Sequence, residues 1–299
     1  MRAIRCMKAS IFSKLAAIVL IFASISSNAK PLVLSSLQPL TLIAQEITGT
    51  AANVDTLLPL TASHHDYPLK TSDHTRLKQA DVILWVGPEL ESFLQKPLGN
   101  LEANKIITAY ALAGIYWPKS HNVGAHKDSH DHAQDPHLWL DPRNAIVVAR
   151  ALTEKLANID SINSTYYREN FRLFDEKVQK LDEKLKASMK PLAGIGFVVY
   201  HEGFGHFVSH YDLKQLDYVT YTPEQKPGAR HLHQLRLILA NEAKCIFLEP
   251  YGDTQSARDL AQEFKLRTAV VDALGSQNVS NYSQLLERMS DAFLTCLTN

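Results

Sequence analysis

Residues 161–190, SINSTYYRENFRLFDEKVQKLDEKLKASMK, decide how the chain is organised. Tyr167, Phe171, Phe174, Val178, Leu181 and Leu185 recur at intervals of four, three, four, three and four. That spacing places them in one apolar stripe along a helix, with charged residues on the other faces. Pro191 stops the run. At 1.5 Å per residue such a helix is roughly 45 Å long, enough to bridge two lobes; an ordinary surface helix of one domain is the alternative.

On either side, apolar strand-like runs alternate with amphipathic stretches. Before the helix, strands are expected at Pro31 to Ser35, Val54 to Leu58 and Val82 to Val86. Helices are expected at Pro39 to Thr48, Ser72 to Ala80 and Arg143 to Ala157. After it, strands are expected at Gly196 to Tyr200, Leu216 to Thr220, Cys245 to Leu248 and Thr268 to Asp272. The interleaved helices run from Ala229 to Asn241, from Thr254 to Phe264 and from Tyr282 to Leu297. This β/α alternation predicts an α/β fold of two lobes with mainly parallel sheets, covered by helices on both faces and joined by one long rigid helix. The expected division is an N-terminal lobe over 30–160, the linking helix over 161–191 and a C-terminal lobe over 192–299.

The N-terminus reads as a secretory signal, residues 1–29. Arg2, Arg5, Lys8 and Lys14 precede an apolar run from Leu15 to about Ile25, and Ser27-Asn28-Ala29 offers a cleavage site near Ala29. The apolar run falls short of the ~20 residues that span a bilayer comfortably; a retained anchor is the alternative. The whole chain balances 31 basic against 31 acidic residues, so losing the four basic residues of the signal leaves a mildly acidic mature protein. That charge argues against nucleic acid or an anionic membrane as principal partner. Cys245 and Cys296 remain. In an exported chain an even pair reads as a disulfide, with two buried thiols as the alternative.

Thirteen histidines are present, and they fall into groups. His64-His65-Asp66-Tyr67 follows the strand stopped by Pro59. His137 sits in Asp135-Pro136-His137-Leu138-Trp139-Leu140-Asp141-Pro142, stiffened by two prolines. His201 opens His201-Glu202-Gly203-Phe204-Gly205-His206 at the end of a strand. Ligand sites in open α/β sheets gather at the carboxyl ends of strands, and three converging imidazoles make a Zn²⁺ site with a free fourth position. The His201 segment does not fit a zinc-protease helix, because its second histidine comes five residues later rather than four and two glycines intervene. A separate run over about 119–135, with His121, His126, His130 and His132 among acidic residues, reads as a metal-attracting loop, a solvated loop without a role being the alternative.

These segments resemble the substrate-binding proteins of zinc ABC importers, the ZnuA type within the TroA-like metal-binding family. The motifs that carry the resemblance are His64 to Tyr67, Ala80 to Glu89, Asp135 to Pro142, His201 to Phe207, Pro223 to Ala229 and the Cys245/Cys296 pair. The resemblance implies a monomeric, non-enzymatic periplasmic protein that captures Zn²⁺ between its lobes and hands it to an inner-membrane ABC permease and its ATPase. It implies His65, His137 and His201 as ligands. Asp272 matches the aspartate that completes the site in manganese and mixed-metal members, with His64 or water as alternatives for the fourth position. The competing functions are the same fold carrying Mn²⁺ or Fe²⁺, a zinc hydrolase, and an adhesin stabilised by metal.

Overall fold

A computed structural model of the chain describes residues 29–118, 134–275 and 278–298. The expected signal segment up to residue 28, and all of the histidine-rich loop except residues 134 and 135, lie outside the described residues.

The N-terminal half holds strands β1 (Leu32–Ser35), β2 (Asn53–Thr56), β3 (Val82–Trp85) and β4 (Ile106–Thr108). Its helices are α1 (Gln38–Thr48), α2 (Thr71–Gln79), α3 (Ser92–Leu98) and α4 (Pro142–Ile159). The long helix α5 (Ser164–Met189) follows, with short 3₁₀ turns at both ends. The C-terminal half continues with β5 (Gly196–His201), α6 (Gly205–His210), β6 (Lys214–Thr220), α7 (Ala229–Asn241), β7 (Cys245–Leu248), α8 (Gln255–Glu263), β8 (Arg267–Val270) and α9 (Tyr282–Thr298). Each half builds one four-stranded sheet, ordered β2-β1-β3-β4 and β6-β5-β7-β8, and every pairing is parallel. The two sheets share one strand order, with the first strand of each half flanked by its second and third. β4, α3 and α6 go beyond the elements expected from sequence; β4 has only three residues and α6 six, too few to show a period.

The stripe on α5 does what its spacing dictates. Tyr167, Phe174, Val178, Leu181, Leu185 and Met189 are buried, and the helix packs on α1 and α4 of the first half and on α9 of the second. One continuous apolar core therefore runs from β1 through α5 to α9, while a smaller core lies under α7 and α8. Trp139 bolts the halves together: its indole Nε1 donates to Ala273 O at 2.8 Å, and its own carbonyl accepts from the Tyr282 hydroxyl at 2.6 Å. At the start of α4, Pro142 occupies the first turn and the Asp141 carboxylate caps it, accepting from Arg143 N at 2.9 Å.

Cys245 on β7 and Cys296 on α9 form a disulfide with Cα atoms 6.1 Å apart, 51 residues apart in sequence. It ties the last helix to the centre of the second sheet. Loop-entropy arithmetic puts its contribution at about 4 kcal/mol as an upper figure. Replacing both cysteines by serine is expected to cost ~2–4 kcal/mol in guanidinium unfolding; a loss below ~1 kcal/mol would refute the bridge as a stabilising element.

Candidate metal centre

The sheets deliver their carboxyl ends to one place. His201 is the last residue of β5. His64 and His65 lie on the loop that leaves β2, and His137 directly precedes a 3₁₀ turn over Leu138–Leu140 that leads into α4. One nitrogen from each of these four imidazoles lies within 4.8 Å of the other three. His64, His137 and His201 are buried, and His65 is half-buried. Trp139, Phe204 and Tyr251 wall the cluster, with ring centroids 5.3 Å from His137, 5.8 Å from His201 and 6.1 Å from His64 respectively.

Two carboxylates set the direction of two of the rings. His137 Nδ1 lies 2.7 Å from Asp135 Oδ1, which also accepts from the His137 backbone N–H at 2.9 Å. His201 Nδ1 is hydrogen-bonded to Glu249 Oε1. A carboxylate accepts, so each Nδ1 carries the hydrogen and each Nε2 turns a lone pair inward. Those two Nε2 atoms are 3.4 Å apart, and His64 Nε2 is 3.2 Å from His137 Nε2. With their lone pairs opposed, neutral His137 and His201 cannot hydrogen-bond to each other, whereas His64 Nε2 can donate to His137 in the tautomer that carries its hydrogen there. The arrangement of His137 and His201 is that of ligands around a cation.

The loop-borne pair is held differently. Ser63 Oγ accepts from the backbone N–H of His65 at 3.0 Å and of Asp66 at 3.2 Å, and it donates to Glu224 Oε1 across the cleft. Among the described residues, His64 Nδ1 and His65 Nε2 are buried without a hydrogen-bond partner. Gly203 leaves the cluster its room: a Cβ there would overlap His201 Nε2 and come within 3.0 Å of His137 Cε1.

Electrostatics keeps most of these rings neutral. Burial, followed by repulsion from the neighbouring imidazoles, drives His64 well below the usual range and His65 to about 2. Burial also lowers His137, against the pull of Asp135. His201 moves the other way. Burial opposes its charge, but the Glu249 carboxylate overcomes that opposition, helped by Asp135 and Glu202.

Asp272 lies two residues beyond β8 and is not part of the cluster. Its Oδ1 accepts from Leu274 N at 3.1 Å and Gly275 N at 2.9 Å. His206 is buried on α6, with its Nε2 on the Asp135 carbonyl rather than in the cluster. Because His201 ends a strand and His206 sits on the following helix, the pair has none of the same-face geometry of a zinc-protease helix. Glu249, the first residue after β7, had a signal in its place at a strand's carboxyl end, and Asp135 stands inside the most distinctive motif.

Fold and cluster together define a class: an α/β metal-binding protein of two lobes bridged by one long helix. The family model described as "Zinc-uptake complex component A periplasmic" matches residues 33–296, and the chain belongs to that family. It is 32% identical over 301 aligned positions to the high-affinity zinc uptake system protein ZnuA of Yersinia pestis, covering 93% of this chain and 95% of the relative. Among solved structures, a crystal structure of ZnuA superposes with a TM-score of 0.78 at 23% identity, covering 90% of this chain and 100% of that one. The periplasmic zinc binding protein TroA of Treponema pallidum gives 0.79 at 17% identity, covering 91% and 100%.

The charge pattern has a measurable sign. As the metal-free protein is titrated downward from pH 8, His201 is expected to take up a proton before an ordinary histidine does. His64 and His65 should remain neutral well below 6.5, and His137 should take up its proton below the ordinary range. Long-range ¹H–¹⁵N spectra of the imidazoles check this, and protonation of His65 near 6.5 would contradict it.

Proposed function

We propose that this protein captures Zn²⁺ in the periplasm through His64, His65, His137 and His201 and delivers it to an inner-membrane ABC permease driven by its ATPase. The observation that carries this reading is the inward-facing lone pairs of His137 and His201, each fixed by a carboxylate behind it. The spacing supports zinc. A tetrahedron with metal–nitrogen distances of ~2.0–2.1 Å has edges of ~3.3–3.4 Å; two of the six donor separations, 3.2 and 3.4 Å, lie near that, and all six are within 4.8 Å. Imidazole donors suit Zn²⁺, whereas Mn²⁺ favours carboxylate and water. The name carried by the Yersinia pestis relative, a high-affinity zinc uptake protein, points the same way.

The proposal puts His64 at the fourth position in place of Asp272. In support, His64 belongs to the cluster, and the Asp272 carboxylate is engaged in the turn through Gly275. Four protein donors close the coordination sphere. A hydrolytic zinc keeps an open position for water, so the function is binding and release, without a catalytic step. The protein acts as a monomer after losing its signal near Ala29, and the histidine-rich stretch over 119–135 raises the local metal concentration.

Calorimetry on the purified mature protein is the test. His137→Ala and His64→Ala are expected to weaken Zn²⁺ binding by at least ~100-fold, since each removes a ligand from a site whose supporting shell alone is worth 10–100-fold. Asp272→Ala should change affinity less than ~3-fold, because the proposal gives it no metal contact. Excess Mn²⁺ should not displace Zn²⁺. An unchanged affinity in His137→Ala would sink the reading, and a large loss in Asp272→Ala would return that residue to the site. Gly203→Ala is expected to cost ~10-fold or more, as its methyl group would push His201 Nε2 off the metal position. Any proton that the metal-free protein holds at His201 must leave on binding, so affinity falls as pH falls through the raised His201 range. Repeating the titration in buffers of different ionisation enthalpy counts that proton.

A further inference from the structure

His206 is a buried histidine that the four-imidazole cluster leaves out. Its Nε2 lies 2.9 Å from the backbone oxygen of Asp135, and its Nδ1 lies 3.2 Å from Nδ2 of Asn144 on α4. A carbonyl oxygen can only accept, so Nε2 carries the hydrogen and Nδ1 presents a lone pair to the Asn144 amide. That amide cannot be inverted to suit another arrangement. Its Nδ2 also donates to Tyr116 O at 3.0 Å, and its Oδ1 accepts from Tyr116 N at 2.7 Å.

Tyr116, Asn144, His206 and Asp135 thus form a directed chain in which each member's polarity is set by its neighbours. The chain crosses from α4 in the first half to α6 in the second. It ends on the residue whose carboxylate orients His137. Gly205 permits the approach, since a Cβ there would lie 2.8 Å from Asp135 Oδ2. Trp117 covers the imidazole, with ring centroids 5.7 Å apart. An apolar ring of similar size could fill this space, but it would leave the Asp135 carbonyl without the His206 N–H and one Asn144 Nδ2 hydrogen without its acceptor.

We propose that His206 is a positioning residue for metal capture: acting through Asp135, and held in one tautomer by Asn144, it fixes the orientation of the His137 ring. The inference rests on the four-imidazole cluster being the zinc site.

The experiment compares zinc affinity, by chelator competition, for His206→Phe and His206→Gln in the native background and in Asp135→Ala. His206→Phe is expected to bind Zn²⁺ about 10-fold more weakly, the lower end of the range for supporting-shell residues. His206→Gln, whose amide can donate to the Asp135 carbonyl, should recover most of that loss. In Asp135→Ala, adding His206→Phe should cost less than ~2-fold more, because the route to His137 is already cut. An unchanged affinity in His206→Phe overturns the proposal. A 10-fold loss that persists in Asp135→Ala overturns it as well, since the effect would then not pass through Asp135.

A second measurement needs neither zinc nor a variant that folds poorly. In the metal-free protein, imidazole ¹⁵N spectra should show His206 as the Nε2–H tautomer, and His206→Gln should leave the His137 Nδ1–H resonance near its native position. An Nδ1–H tautomer at His206 overturns the proposal. If the native protein takes up no zinc, the functional reading fails by itself. The His137 resonance then still decides whether His206 orients that ring: displacement in His206→Phe supports the positioning role apart from zinc, and an unmoved resonance overturns it.

Discussion

The structure depends on one costly juxtaposition, the lone pairs of His137 and His201 held 3.4 Å apart in a buried place. Left to themselves, two neutral imidazoles would turn so that one donated to the other. Asp135 and Glu249 prevent this by engaging both Nδ1 hydrogens from behind. Such an arrangement survives only if the backbone that carries each pair resists relaxation. His137 belongs to the first half of the chain and His201 to the second, so the two halves must be fixed against each other to within a fraction of an ångström.

The fold supplies that fixity through packing rather than through contacts at the cleft alone. The buried face of α5 meets α1, α4 and α9, so the linking helix is part of a core that spans both halves. Interiors packed at crystal-like density do not deform continuously, and a long helix buried along one stripe has no hinge residue to bend at. Trp139 carries the constraint to the site. It stands two residues after His137, fully buried, and is hydrogen-bonded at both its ring and its carbonyl to the second half. α9 closes the frame from the other side, with the Tyr282 N–H on Glu46 of α1 and Cys296 bonded to β7.

Much of this was legible in the sequence because it rests on periodic features. The 3.6-residue stripe over Tyr167 to Leu185 and the alternation of apolar runs with amphipathic ones each repeat often enough to exceed chance. The carboxyl ends of strands drew attention to His201, and the paired prolines to His137. What escaped notice is aperiodic and long-range. Glu249 is 48 residues from the ring it orients, and nothing local distinguishes it from any other acid after a strand. The tautomer of His206 is decided by Asn144, 62 residues away. Which of two adjacent histidines faces inward on an irregular loop is a matter of a few backbone torsions. The sequence pointed to His65 as a ligand and offered His64 only as an alternative to Asp272, whereas both His64 and His65 take part in the cluster. Gly203 was read as a helix-disfavouring residue, but its lack of a side chain also preserves space for an ion.

The charge balance explains why two of the four rings have carboxylates behind them. Imidazoles bind as neutral donors, so by themselves they offer nothing to offset the desolvation of a dication in an apolar enclosure. Asp135, held as a carboxylate by the His137 hydrogen bonds in spite of its burial, and Glu249 place two negative charges one ring's width from the cluster. Without a metal, that same field raises the proton affinity of His201, the ring closest to Glu249. The proton and the dication therefore compete for one electrostatic well. His64 and His65, whose Nδ1 and Nε2 respectively have no hydrogen-bond partner among the described residues, contribute donors without deepening it. The site divides into a charged half fixed in the frame, which sets the attraction for a cation, and a neutral half on the loop, which completes the coordination around it.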